Sequence, residues 1–392
     1  MTPNTIANTI TDATVIKNTM THRATWAEVD LDAIRYNFSQ IKKLIGKNTS
    51  VLVIVKGNAY GHGIFEVSSV LQDMAVNFLG VATLDEALFL RGRGINTPIL
   101  ILGSVLQHEA EPAIRNNITL TLCHMELAKE IDRVASELNK KAHVHIKIDT
   151  GMGRIGVWHE EAFDFVKDIV NFKNIFIEGI YTHFSAAGRD KFFTTYQIDS
   201  FTSILENLKK SGIEVPYRHA ANSIATVSLK KAHLNLVRPG LIIYGMYPKK
   251  SFSRRLNLKP ALSLKSRVVF LKKTPAGRSI SYGRTYITQK PTVIATLPIG
   301  YADGYGRILS NKAKVLVKGQ RAPVVGKVTM DQTMIDIGHI EGVTLGDEVV
   351  LIGKQGDNEI RCEELARVAG TIPYEIVCSI TNRVPRIYKN SK

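Results

Sequence analysis

The sequence predicts a two-part α/β protein, a parallel (β/α)₈ barrel followed by a smaller, mainly antiparallel β domain. Three observations lead there. The chain of 392 residues is too long for one ordinary hydrophobic core. Short apolar, β-branched runs alternate with amphipathic stretches over roughly the first 240 residues. After residue 247 the rhythm changes to strand-like runs separated by Gly and Pro turns. Taken in order, strands are expected at 51–55, 78–82, 99–102, 118–122, 144–148, 175–181, 215–219 and 234–237. Helical patterns between them fall at 84–91, 125–139, 160–171 and 195–211. Near-continuous apolar strands alternating with helices mark parallel β–α units covered on both faces. Eight at this spacing favour a closed barrel over an open sheet. Beyond the barrel, strands are expected at 262–271, 293–297, 314–317, 334–337 and 349–352, with one helix at 362–368. The polar, basic segment 249–260 supplies the boundary. The chain thus divides into a tail (1–21), a barrel (22–255) whose first strand is free to pair with the second domain, and a β domain (256–392).

Composition narrows the function classes. Apolar residues make up 44% of the chain and aromatics 7%, as in a soluble globular protein. No uninterrupted apolar stretch is long enough to span a bilayer. Residues 1–21, rich in Thr and Asn, lack the basic start and apolar block of a signal peptide and read as a disordered tail. Cys123, Cys362 and Cys378 are odd in number and widely spaced, the pattern of reduced thiols in a cytoplasmic protein. The histidines show no metal-ligand spacing, and His143 and His145 read as alternating strand positions. The net charge of +16 is spread in ones and twos, as at Lys42–Lys43 and Arg254–Arg255, with no aromatic–basic stripe. That surface favours small anionic molecules over nucleic acid.

In a (β/α)₈ barrel the functional groups sit just past the C-terminal ends of the strands. Lys56 follows the first expected strand, Arg154 the fifth and His183 the sixth; Asn222 and Ser223 follow the seventh, and Arg238-Pro239-Gly240 the eighth. Any one alone is weak, since a lysine at a strand end usually snorkels and a serine there usually caps a helix. Together they form a constellation. A lysine leaving a buried apolar strand is pushed toward its neutral form and can form a Schiff base with an aldehyde. The following GNAYGHG (57–63) permits close approach, and Tyr60 can pack beside a planar ring. Ser223, placed to cap the next helix, and the backbone at Gly240 can hold a phosphate. A phosphorylated aldehyde means pyridoxal phosphate. An arginine cannot accept a proton, so Arg238 facing the cofactor's ring nitrogen would weaken the electron sink and suit simple proton removal and return. Racemisation needs two acid–base groups. Lys56 serves one face, and the best candidate for the other is Tyr282 in SYGRTY, although spacing does not single it out among thirteen tyrosines.

At this point the chain resembles the alanine racemase family. The matching stretches are TWAEVDLDAIRYN (25–37), VKGNAYGHG (55–63), KIDTGMGRIG (147–156), YTHF (181–184), HAANS (219–223) and VRPG (237–240). In the second domain they are ISYGRTY (280–286), IGYADGYGR (299–307), VTMDQTMID (328–336) and NRVPR (382–386). The resemblance implies a barrel that binds pyridoxal phosphate and a C-terminal β domain, in a head-to-tail homodimer that makes D-alanine for peptidoglycan. It implies that Lys56 carries the cofactor and acts as base toward D-alanine, while Tyr282 from the partner acts on L-alanine. Tyr60, Ser223, Gly240 and nearby Asn222 and Leu241 would hold the cofactor, with Arg238 at the ring nitrogen, His219 supporting it and His183 near Tyr282. Arg154 would contact the substrate carboxylate and the cofactor's phenolic oxygen, and Met330 would add a backbone N–H, with Tyr301 and Asp331 also at the substrate. Lys147 occupies the position at which some members carry a carbamylated lysine.

The chain departs from that pattern at Asn382, where many relatives have a tyrosine that crowds the substrate methyl, at Gly188 and at Lys327. The first makes a broader alanine/serine racemase the alternative. A basic amino-acid decarboxylase of this fold would place a carboxylate where Arg238 stands. A non-enzymatic cofactor-binding barrel would lack the β domain with Tyr282 and Met330.

Overall fold

The computed structural model describes residues 22–390; the expected tail lies outside the described residues. Its first strand, β1 (Thr25–Asp30), does not enter the barrel. It lies in the second domain, antiparallel to Leu262–Arg267 and parallel to Arg386–Lys389. Asp30 then caps the helix Leu31–Ile45 by accepting from the Ala33 N–H, and Ile34, Phe38 and Ile41 face the core at helical spacing.

The barrel strands follow as β2 (Ser50–Ile54), β3 (Phe78–Val81), β4 (Ile99–Ile101), β5 (Leu120–Leu122), β6 (Ala142–Asp149), a two-residue excursion β7 (Val157–Trp158), β8 (Ile175–Tyr181), β9 (Tyr217–His219) and β10 (Leu236–Val237). All paired neighbours are parallel, in the order β10-β2-β3-β4 and β5-β6-β8-β9. A parallel bridge from Leu100 to Thr119 joins the two arcs on one side. On the other, the Arg238 N–H donates to the Ala221 carbonyl. The eight parallel strands therefore close. Several are shorter than expected, because two or three backbone bonds suffice where a strand is buried on both faces. Helices 31–45, 64–73 and 110–115 are further elements of the barrel domain beyond the helical patterns named from the sequence.

In the second domain a mainly antiparallel sheet runs Gln320–Pro323, Lys314–Val317, Glu348–Gln355, Leu262–Arg267, β1 and Arg386–Lys389. The single strand expected at 262–271 is two. The chain breaks at Val268–Val269, whose N–H groups donate to Asp347 and Thr296, and Phe270–Thr274 joins a second sheet with Thr292–Leu297 and Thr333–Asp336. An apolar run serves both sheets by bending from one to the other. No helix of the described residues is long and apolar enough to cross a membrane.

Candidate active site

Lys56 leaves β2 at the top of the barrel, and the four residues after it take left-handed backbone angles, with φ of 63° at Gly57, 53° at Asn58, 51° at Ala59 and 52° at Tyr60. For three non-glycine residues this costs on the order of 1–2 kcal/mol each, so the surroundings must impose it. Glu86 accepts from the Gly57 N–H at 2.6 Å. Asn58 accepts from the Ile64 N–H at 2.9 Å, and the buried His62 ring closes on the Ala59 and Tyr60 carbonyls at 3.0 and 2.9 Å. From the far end of the chain, Arg386 donates to the Gly61 carbonyl at 3.1 Å while its other nitrogens tie down Thr381, Val384 and Ile380. The turn is thereby a rigid mount for Lys56 and Tyr60.

Burial lowers the pKa of Lys56, the Arg154 charge lowers it further, and Glu86 and Cys378 oppose the change. Lys147, at the end of β6, is only 2% exposed and donates to the Ile148 carbonyl at 2.7 Å. Burial, helped by Arg238 and Arg154, brings its pKa down to about 8. Arg154 owes its place to Asp149, whose carboxylate gathers the N–H groups of Gly151, Met152, Gly153 and Arg154 and shapes the loop. Arg238, 3% exposed, donates to His219 Nδ1 at 2.8 Å and to the Thr182 and Ala220 carbonyls at 2.7 and 3.1 Å. Burial pushes the His183 pKa well down, and Arg238, Arg154, Lys147 and Lys56 all add to the effect, so these groups crowd one space. Four basic side chains converging there call for an anion.

The same rim holds a small cradle. Ser223 accepts from the Gly240 N–H at 2.9 Å and is hydrogen-bonded by Tyr374. A Cβ on Gly240 would come within 2.6 Å of Tyr60 Oη. The Tyr60 ring packs 4.9 Å from Tyr244 and 5.4 Å from Tyr374, and Leu241 lies fully buried beneath. Ser223 is not the helix cap anticipated for it. Asn222 caps Ser223–Ser228, accepting from Ile224 and Ala225 at 3.1 Å, because its side chain reaches back one residue earlier and frees the serine hydroxyl. The cradle and the four basic side chains, Lys56 among them, fit a planar, phosphate-bearing aldehyde. Tyr374, Glu86 and the His145–Glu178 pair carried no motif, and only the HVH alternation pointed toward the last.

The remaining candidates lie apart. Tyr282 is 72% exposed in the tight hairpin between Ser279–Ile280 and Tyr286–Ile287. Its neighbour Ser281 donates to the Lys327 carbonyl at 2.6 Å. Tyr282 shares a groove with Thr329 and Gln332, which flank Met330 and Asp331. Met330 is 52% exposed and its carbonyl receives the Ala302 N–H, beside Tyr301; Asp331 pairs with Arg383 at 2.7 Å. Among the described residues, no hydrogen bond, ion pair or ring contact links Tyr282, Tyr301, Met330 or Asp331 to the barrel group. Asn382 and Gly188 are exposed.

Comparison with known proteins settles the family. The model of the alanine racemase N-terminal domain matches residues 29–248, and that of the alanine racemase C-terminal domain matches 261–388. The chain is 47% identical to the alanine racemase of Halothermothrix orenii, across 94% of this chain and 97% of that one. It is 48% identical to that of Carboxydothermus hydrogenoformans, across 93% and 100%. Among solved structures, alanine racemase from Clostridium difficile superposes with a TM-score of 0.88 at 40% identity, covering 93% of this chain and 96% of that one. The Bacillus anthracis enzyme with bound L-Ala-P gives the same TM-score and identity, at 94% and 96% coverage. The chain belongs to the alanine racemase family and is an isomerase.

Proposed function

We propose that this chain interconverts L- and D-alanine by two-base proton transfer at Cα with pyridoxal phosphate. It works as a homodimer in which each site joins the barrel rim of one subunit to the β-domain loops of the other. The observation that carries this reading is the split itself: a half-buried lysine among cations on the barrel, and an exposed tyrosine on the second domain with no link to it among the described residues. A C₂ arrangement that brings each half to the other's partner makes two whole sites.

When bound, pyridoxal phosphate withdraws electrons from the substrate's Cα–H bond. Tyr60, Ser223 and the Gly240 N–H hold its phosphate, with Asn222 fixing the helix start and Leu241 forming the floor. Arg238 would hold the ring nitrogen as a hydrogen-bond donor and, because a guanidinium neither accepts nor gives up a proton there, would leave that nitrogen unprotonated and the withdrawal moderate. Lys56 holds the cofactor and, when free, takes or returns the proton on one face at Nζ; its lowered pKa leaves more of the amine neutral for the task. Tyr282 of the partner subunit moves the proton on the opposite face at Oη, beside His183. Arg154 and the Met330 backbone orient the substrate carboxylate, with Tyr301 and Asp331 lining the approach. Lys147 is neutral often enough, at a pKa of about 8, for its nitrogen to attack carbon dioxide and release a proton; the carbamate so formed would hold Arg154 in place.

D-alanine production for peptidoglycan and a cytoplasmic location follow from the same reading. Cys123, Cys362 and Cys378 are free thiols, in keeping with a reducing compartment. A secondary serine activity is favoured by the exposed Asn382 in place of a bulkier side chain. The test is a racemisation assay of the purified protein with alanine, serine, lysine and arginine. Alanine is expected to turn over fastest, serine slowly and the basic amino acids not at all. Borohydride is expected to fix the cofactor to the native protein and not to Lys56→Ala. A Lys56→Ala protein with full activity overturns the assignment.

A further inference from the structure

Below the cofactor rim a line of polar side chains runs through the barrel wall. Arg238 donates to His219 Nδ1 at 2.8 Å. His219 Nε2 lies 2.8 Å from His145 Nδ1, and His145 Nε2, which has no hydrogen-bond partner among the described residues, lies 3.3 Å from Glu178 Oε2 as an ion-pair contact. Both imidazoles are fully buried. The Tyr181 ring stacks on His219 at 4.7 Å and lies under the Arg238 guanidinium, which is 5.2 Å from its centre.

This line has one sense only. A guanidinium can only donate, so His219 Nδ1 must offer its lone pair. A neutral imidazole carries one proton, so that proton is on Nε2 and points at His145 Nδ1. His145 must then accept on Nδ1 and carry its own proton on Nε2, facing the carboxylate. Reversing either ring would set two N–H groups against each other next to Arg238. Burial keeps both rings neutral, in agreement with this order. Glu178 is the fixed acceptor at the end, held by His143 at 3.1 Å and Thr119 at 3.0 Å.

The fold makes room for the line at some cost. The pairing of β6 with β8 slips between Val144 and His145, which leaves Glu178 without a partner in the register. At the next position, a Cβ on Gly179 would lie 2.5 Å from His145 Nδ1. The extra residue and the missing side chain serve Glu178 and His145 respectively.

We propose that Glu178 is a positioning residue for the racemisation: by facing the Nε2–H of His145 it holds that ring with Nδ1 toward His219, and so keeps His219, whose Nδ1 Arg238 selects, in place to hold Arg238 against the cofactor. The proposal rests on the reading that Arg238 faces the cofactor's ring nitrogen. Its test uses isotope-labelled holoenzyme, with the histidine ring nitrogens read by NMR. In the native protein His145 and His219 are each expected in the single Nε2–H form. Glu178→Leu, which removes the carboxylate facing His145, is expected to give mixed forms at the His145 ring, to shift the absorbance band of the bound cofactor, and to lower kcat about tenfold with KM little changed. Glu178→Gln still accepts a hydrogen bond and is expected to retain the single forms and most of the activity. Should Glu178→Leu not fold, Glu178→Asp, with its carboxylate drawn back, takes its place with the same readouts. Unchanged ring forms in the acceptor-deficient variant, or equal kcat losses in the Leu and Gln variants, overturn the proposal. Failure of the underlying reading looks different: the ring forms change as expected, but neither the cofactor band nor kcat responds, and Arg238→Lys leaves the band unmoved as well.

Discussion

The two groups of candidate residues differ in how finished they are. The barrel group is enclosed and over-determined: a left-handed turn pinned from several sides, a guanidinium with four acceptors, a loop drawn around one carboxylate. The β-domain group stands in the open, with Tyr282 and Met330 mostly exposed and shaped chiefly by their own backbone turns. Preorganisation stores the cost of a site in the fold, and the barrel has met that cost within one chain. On the proposed reading the exposed half gains its environment by association and the enzyme is assembled at the dimer, so the two halves are expected to respond differently to perturbation.

The sharpest test mixes subunits. Lys56→Ala and Tyr282→Phe homodimers are each expected to be impaired, the first by at least about a thousandfold and the second by about a hundredfold, more in the L-to-D direction. Mixed and allowed to exchange, they are expected to recover about a quarter of native activity, because half of the dimers then carry one intact site. No recovery, with exchange verified by mass, would place both residues in one subunit's site. Next in size is the cradle. Gly240→Ala puts a methyl against Tyr60 Oη and is expected to weaken pyridoxal phosphate binding roughly tenfold in a reconstitution titration. A substitution of Tyr282 is expected to leave that affinity unchanged, which separates the halves again.

A smaller effect concerns pH. His62, at about 4, His145, His183 and His219 all have pKa values lowered by burial. Unfolded histidine binds a proton below about pH 6.5, while these buried rings do not. The unfolded state therefore holds more protons in that range, so stability is full above it and falls as pH drops toward the folded values. Each ring contributes up to about 1.4 kcal/mol per pH unit. Thermal denaturation between pH 7 and pH 5 is expected to show a marked fall in Tm, and His62→Gln to reduce its slope. The smallest change is expected for Asn222→Ala, which removes the cap from the short helix at the cradle and costs about 1 kcal/mol in chemical denaturation.

How much of this was legible in the sequence depended on the kind of signal. The barrel was visible because each buried strand must be apolar on both faces, and the rim lysine, arginines and histidine interrupt those runs abruptly. The pairing of β1 with the second domain was left open by the sequence, since TWAEVD alternates as well for one sheet as for another, and only the structure decides it. Ser223 was misplaced by one residue because Asn and Ser both make good caps, and only the backbone decides between them. Tyr282 was one tyrosine among many, as the role proposed for it depends on a surface outside its own chain. Glu178 and His145 lie on adjacent strands joined through a bulge, and no spacing rule encodes a slipped register.

The clamp from Arg386 onto Gly61 has a consequence for how the protein comes into being. The two residues are 325 positions apart. A nascent chain presents Lys56 to the solvent long before the arginine that stiffens its loop has been made, and β1 waits just as long for its parallel neighbour. During synthesis the lysine is an ordinary flexible amine. On the proposed reading, capture of the cofactor by Lys56 in a productive pose therefore waits for the last stage of translation or later.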